Sequence, residues 1–162
     1  MHGVRIHWHE VIALDNHAVK VKTCVLEDTL KYNNETVLTY KIEYPEFSST
    51  MYQLSLVVIN RFYRDKALEF QATVEGEMYD NAVEQYKFAV EHGFPPIPYE
   101  ALVEFKLTYK CPCILSLYTD QYTFTGGAHG STVRSSQTWN LQKCRRVRLW
   151  ELIGCTTNYQ EY

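Results

Sequence analysis

Apolar and polar residues alternate with period two over the first third of the chain. Val4, Ile6 and Trp8 alternate with Arg5 and His7, and Val19, Val21, Thr23 and Val25 alternate with Lys20, Lys22 and Cys24. With β-branched residues at that period, the pattern predicts half-buried strands. Asn33-Asn34 lies between Leu30-Lys31-Tyr32 and the run 36–40. It predicts a hairpin turn, because Asn tolerates left-handed backbone. Pro45 is expected to end the third strand.

The middle third changes period. Leu56, Ile59, Tyr63, Ala67, Phe70, Val74 and Met78 recur in steps of three or four, and Tyr79, Ala82, Val83, Tyr86, Ala89 and Val90 continue the stripe. That is one face of a helix, with Glu77, Asp80, Glu84 and Glu91 on the solvated side. Thr50-x-x-Gln53 fits a capping box at its start, and Gly93 with Pro95-Pro96 stops it. A straight helix over this span would be about 60 Å long, against roughly 40 Å for a domain of this size. The helix is therefore expected to bend or break near Gly76, or to protrude.

Period two returns in the last third. Val103, Phe105, Leu107 and Tyr109 alternate with Glu104, Lys106 and Thr108, and Ile114, Leu115, Leu117 and Tyr118 lead to Tyr122 and Phe124. Ser136, Thr138, Trp139 and Leu141 follow a glycine-rich break, and Val147, Leu149, Leu152 and Ile153 close the apolar content. Strands around one helical block predict an α+β fold, a bent or broken helix packed on a mainly antiparallel sheet. A chain of 162 residues is expected to form a single domain over 1–162.

Composition adds less. The net charge is -3, from 16 basic and 19 acidic residues, which gives no general pull toward nucleic acid. Thirteen Tyr, 7 Phe and 3 Trp favour sheets and contact surfaces, so dimerisation through a Tyr-rich surface is one reading. No apolar run reaches the length of a signal peptide or a membrane span, so the chain as written is expected not to span a membrane and carries no leader.

Candidate chemistry is sparse. There is no G-x-S-x-G, H-E-x-x-H, P-loop or G-x-G-x-x-G, so no catalytic residue and no cofactor is expected. His7 and His9 share a strand face beside Glu10, and with His129 they would supply three metal ligands. Cys111-Pro112-Cys113 on a strand would put two sulfurs on one face, with Cys144 the third ligand available. A metal-dependent hydrolase built on either set is the alternative to a binding domain; the spacing favours no metal. The five cysteines are Cys24, Cys111, Cys113, Cys144 and Cys155, an odd number that predicts at least one free thiol. Lys143, Arg145, Arg146 and Arg148 form a basic cluster in an expected hairpin between Leu141 and Leu149, suited to a solvated turn or to anion or glycan contact.

The most specific segment is Tyr122-Thr123-Phe124-Thr125-Gly126-Gly127-Ala128-His129-Gly130. Three glycines in five residues after a strand allow positive φ or close backbone approach. The segment reads as a tight connection pinned by His129, or as an exposed loop offered to a partner. With Thr138-Trp139-Asn140-Leu141 and Leu149-x-Glu151-Leu152 it resembles a bacterial domain found in the extracytoplasmic region of the anti-sigma-V factor RsiV and ahead of the catalytic domain of the peptidoglycan deacetylase PdaC. Upstream, Tyr44-Pro45 followed by a helix carrying Ile59-Asn60 is similar to the companion segment of that family, and the likeness runs over residues 36–153. It implies a non-enzymatic envelope recognition domain whose partner is a lysozyme-like protein or peptidoglycan, located outside the cytoplasm; without a leader, the cytoplasm is the alternative. The binding residues expected on this reading are Tyr122, Phe124, Gly126, Gly127, His129, Gly130 and Trp139. Family members continue with further strands and a helix past the position of Leu152, so the domain is expected to be a short or truncated form.

Overall fold

The computed structural model describes residues 5–7 and 18–152. Val4, Trp8, His9, Glu10, Ile153 and Cys155, which figure in the sequence reading, lie outside the described residues. The chain forms β1 (Arg5–His7), β2 (Lys20–Tyr32), β3 (Glu35–Ser48), a long helical segment, β4 (Tyr99–Cys111), β5 (Ile114–Phe124), β6 (Ser131–Asn140), β7 (Arg145–Arg146) and a short α3 (Leu149–Leu152). The strands make one sheet in chain order, antiparallel throughout except where β3 and β4 run parallel. A parallel pair needs a crossover, and the helical segment supplies it. The α+β expectation holds.

Asn33 and Asn34 both have positive φ, 49° and 69°, and close a two-residue hairpin between Tyr32 and Glu35. That is the primed turn whose twist matches the flanking strands. Pro45 does not end β3. It pairs with Thr23 inside the β2–β3 ladder, while the β3–β4 register stops at Ile42↔Val103. At Pro45 the side of β3 away from β2 has no ladder bond to lose, so a residue without N–H is tolerated. The alternation in β4 also fails at one point. Leu107 faces Leu117 but Tyr109 faces Ser116, so Thr108 is an extra residue, and the bulge turns Tyr109 to the solvent side.

The helical segment comprises α1 (Gln53–Thr73), one π-helical turn (Val74–Met78) and α2 (Tyr79–Glu91). The expected capping box is absent: helix α1 starts at Gln53 with Tyr52 as N-cap and no side-chain cap bond. An amide side chain elsewhere fixes the helix instead. Asn60 Oδ1 accepts the Phe47 N–H at 2.7 Å and Asn60 Nδ2 donates to Phe47 O at 2.8 Å, which ties α1 to the end of β3 as a strand neighbour would. Around Gly76 the helix is neither broken nor ended; the extra residue of the π turn absorbs the change. The length is accommodated because the strands are long, up to 14 residues in β3, so the sheet is much longer than a compact sphere implies.

The helix crosses the sheet diagonally. Leu56, Ile59 and Tyr63 pack with Leu115, Leu117, Trp139 and Leu141 of β5, β6 and the turn beyond. Ala67, Val74, Met78 and Ala82 pack with Leu38, Tyr40, Ile42, Tyr99 and Ala101 of β3 and β4. Farther along, Tyr79 Oη donates to Lys31 O at 2.9 Å and Tyr86 meets Tyr32 edge to face at 5.8 Å, on β2. Each fully buried Leu or Ile here stabilises the fold by about 1.5–3 kcal/mol. Under the π turn, Tyr40 Oη donates to Glu75, and Gln71 Nε2 donates to Tyr40 Oη at 2.8 Å. Burial, and then the Glu75 carboxylate, push the Tyr40 phenol up to about 12.

Candidate functional site

The diagonal leaves one corner of the helix-facing sheet uncovered, and the sequence changes there. On β5, Leu115 and Leu117 are buried, but the next positions on that face are Thr119 and Gln121. On β6, Trp139 is buried, but Gln137 and Ser135 are the next two on its face. Side chains on one strand face repeat every second residue, so the apolar face becomes polar where the helix moves off. A cleft of 470 Å³ lies in this corner, with Phe62 and Phe70 of α1 on one side and Thr119, Gln121, Ser135 and Gln137 on the other.

The cleft is held rigidly from below. Trp139 Nε1–H donates to Tyr63 Oη at 2.9 Å, and Tyr63 Oη–H points to Gln137 Oε1 at 3.4 Å. Burial pushes the Tyr63 phenol far up, so it stays a hydrogen-bond donor at any physiological pH. Phe62 stands edge to face against both Tyr63 and Trp139, at 5.1 and 5.3 Å. The bond to Tyr63 engages the Gln137 oxygen and leaves its NH2 for the cleft. Thr119, Gln121 and Ser135 make no side-chain hydrogen bond to another described residue. They are polar groups beside an aromatic wall, open to the cleft.

The glycine-rich segment lies elsewhere, between β5 and β6. Thr123↔Ser131 is the last pair before it. Gly126 and Gly127 hold φ of 89° and 91° with open space where a Cβ would stand, so backbone conformation alone demands glycine there. Gly130 is a glycine for another reason. A Cβ on it would meet the Tyr122 ring at 2.4 Å, and its φ lies outside the left-handed region. His129 is exposed, and its Nδ1 approaches only Gly130 O, at 3.2 Å. Tyr122 and Phe124 are half-buried beside the loop, whereas Trp139 is a core residue, 4% exposed and far along β6. The structure brings Tyr122 and Gly130 together and leaves Trp139 apart from them. On the face away from the helix, Arg134 grips Asp120 with two bonds of 2.6 and 2.7 Å and lies 4.0 Å from the Tyr118 ring centre. The guanidinium hydrogen bonds hold the Asp120 carboxyl below its usual range.

The other candidate groups do not gather. Cys111 is the last residue of β4, paired to Ile114, and Pro112-Cys113 form the turn to β5, so the two thiols do not share a strand face. The backbone N–H of Cys113 is the main cause of a lowered Cys111 thiol, and burial raises the Cys113 thiol. Cys24, Cys111, Cys113 and Cys144 are all free thiols. Among the described residues no three of His, Cys, Asp and Glu come together as metal ligands. His9 lies outside the described residues, and nothing is described of the His7 side chain. The basic cluster does form a hairpin, closed by Asn140↔Arg145 with Cys144 at a φ of 50°. Among the described residues no helix is long and apolar enough to cross a membrane.

Phe62, Gln121 and Gln137 do not figure in the sequence pattern, and Phe70 figures there only as one residue of the helical stripe. The signal was present as an apolar-to-polar switch on one strand face, at Leu117 to Thr119 and at Trp139 to Gln137.

Comparison with curated proteins gives no match. Among solved structures, the chain is similar to a DUF3298 family member from Bacteroides fragilis NCTC 9343, with a TM-score of 0.62 and 13% identity over 84% of this chain and 61% of that one. It is also similar to a DUF3298 family protein from Pseudomonas aeruginosa PAO1, with a TM-score of 0.56 and 12% identity over 84% of this chain and 58% of that one. At these identities the likeness concerns the fold, and the chain spans about three fifths of each neighbour's length. The model of the family described as Deacetylase PdaC matches residues 31–132, from the end of β2 to the start of β6; the match covers well over half of the sequence, and the chain belongs to that family.

Proposed function

We propose that this chain is a non-catalytic envelope recognition domain that binds a cell-wall glycan in the cleft between α1 and the β5–β6 corner. The observation that carries this reading is the cleft itself, an aromatic wall facing Thr119, Gln121 and Ser135, which bond to no other described side chain, and the free NH2 of Gln137. A pyranose ring has an apolar C–H face that packs on an aromatic side chain and a rim of hydroxyls that need donors and acceptors. Phe62 and Phe70 match the first; Gln121, Gln137, Thr119 and Ser135 match the second. Its 470 Å³ is within the usual range for a ligand site. The resemblance of the glycine-rich segment to the domain that precedes a peptidoglycan deacetylase's catalytic domain supports a wall-related role.

Titration of the chain with an N-acetylglucosamine tetramer, followed by calorimetry, tests the reading. Binding weakened by Gln121→Ala, with the melting temperature unchanged, is the expected result. Absence of binding, or binding indifferent to Gln121→Ala, would overturn the cleft as the site.

A second reading, a lysozyme-like protein as partner, is favoured by the exposed 126–129 loop beside Tyr122 and Phe124. Hen lysozyme immobilised on a sensor surface tests it. If the loop is the contact, His129→Ala weakens capture while leaving thermal stability as it was.

A further inference from the structure

A second cavity borders the cleft at Gln137 and Arg146. It has a volume of 620 Å³, opens along β7 and α3, and is walled by Arg145, Arg148 and Trp150. Positive charge there exceeds what the protein answers. Arg145 is bound by Glu151 through two contacts of 2.6 and 2.8 Å, and Glu151 also accepts the Arg148 backbone N–H at 2.8 Å. That carboxylate is fully engaged. Arg146 lies over the Phe62 ring, 5.4 Å from its centre, and has no ion-pair partner among the described residues. The Arg148 guanidinium is exposed and makes no ion-pair contact among them, although its charge is felt at Glu151. A guanidinium keeps its charge at every working pH and offers planar pairs of N–H donors that fit a carboxylate. The Arg145–Glu151 contact shows that a carboxylate fits this cavity in that geometry.

We propose that the ligand of the cleft is an acidic glycan, with a sugar ring against Phe62 and Gln121 and a carboxylate held by Arg146 and Arg148. The inference rests on the glycan reading of the cleft and adds the class of sugar. Trp150, 39% exposed at the far wall, offers a stacking face for the next ring. The carboxylate belongs either to a ring carbon, as in a uronate, or to an ether side arm, as in a lactyl sugar.

The test is calorimetric titration of the full chain with five probes: a hyaluronan tetrasaccharide, a disaccharide bearing a lactyl carboxylate, the carboxyl-amidated form of each acid, and the neutral N-acetylglucosamine tetramer as reference. At least one acid is expected to bind roughly tenfold or more tighter than its own amide, the scale of a charge-assisted hydrogen bond. Which acid does so identifies the source of the carboxylate. Added salt should shrink the preference, since the site is open to solvent. Arg146→Gln and Arg148→Gln should each remove most of it, while Arg134→Gln, on the other face of the sheet, should leave it intact. Arg148 packs on no ring and makes no ion pair, so its variant keeps the test valid if Arg146→Gln disturbs Phe62. Equal binding of acid and amide, with the neutral tetramer still bound, would overturn the acidic class and leave the glycan reading standing. No binding of any sugar would overturn both.

Discussion

Replacing Gly130 by Ala should change sign in its effect on stability according to whether Tyr122 is present. The new Cβ would stand 2.4 Å from Tyr122 Cε2 and 2.5 Å from Cζ, so the ring must swing aside. The ring is the free end of a half-buried side chain, and the backbone need not move. The cost is therefore the ring's packing on the loop, about 1–2 kcal/mol. Against it stands the loss of glycine freedom in the unfolded chain, which favours Ala by about 0.4–1 kcal/mol where φ permits. The net for Gly130→Ala is a destabilisation of up to about 1.6 kcal/mol, centred near 0.8. In a Tyr122→Ala background no ring has to move, and the same change should stabilise by about 0.4–1 kcal/mol. Urea unfolding of the four proteins, with unchanged m values, gives the coupling directly. Gly130→Ala with the same sign in both backgrounds would refute the claim that Tyr122 is what keeps residue 130 a glycine.

Gly126→Ala and Gly127→Ala should each destabilise by about 1–2 kcal/mol through positive φ alone; Tyr122→Ala should not relieve them in the same urea assay. Tyr63→Phe removes the acceptor of the buried Trp139 N–H and should cost about 1–3 kcal/mol, read by thermal melts with near-ultraviolet dichroism. The Glu151 carboxyl, drawn down to about 2 chiefly by the Arg145 hydrogen bonds, contributes its stabilisation in full above its ordinary value of 4.5, and that contribution is lost as the pH falls toward 2. Carbon-detected titration of Glu151 should give a midpoint well below 4.5, and Arg145→Gln should bring it back up; an ordinary midpoint in the parent protein would remove the pairing from solution.

Much of the fold was legible because its signals are local. The stripe from Leu56 to Ala82 gave the helix and its buried face, and Asn33-Asn34 gave a turn whose two residues both hold positive φ. The failures fall where a distant neighbour outweighs a local preference. Thr50-x-x-Gln53 has the spacing of a capping box, yet Asn60 binding Phe47 fixes the helix, a contact that depends on β3 reaching that end of the molecule. Pro45 stays in its strand because β4 has already left the β3 edge. Tyr109 turns outward because Thr108 is an extra residue relative to β5, which no inspection of β4 alone reveals.

The glycine-rich segment shows how a motif can be recognised for more than one reason. Its three glycines divide into two demanded by φ and one demanded by a ring. All three are accounted for by the architecture of the β5–β6 turn, so their presence does not by itself require a ligand. Trp139, in the second half of the resemblance, is likewise accounted for by its bond to Tyr63 and its burial. The cleft is different in kind. Gln121, half-buried, and Ser135, exposed, lie on the helix side of the sheet where the helix no longer covers it, and they bond to no other described side chain. Polar groups open to solvent keep water as their partner, so they cost nothing in the free protein and stay available to a ligand. On the glycan reading these are the residues that meet the ligand, and they lie next to Arg146, which makes no ion pair among the described residues.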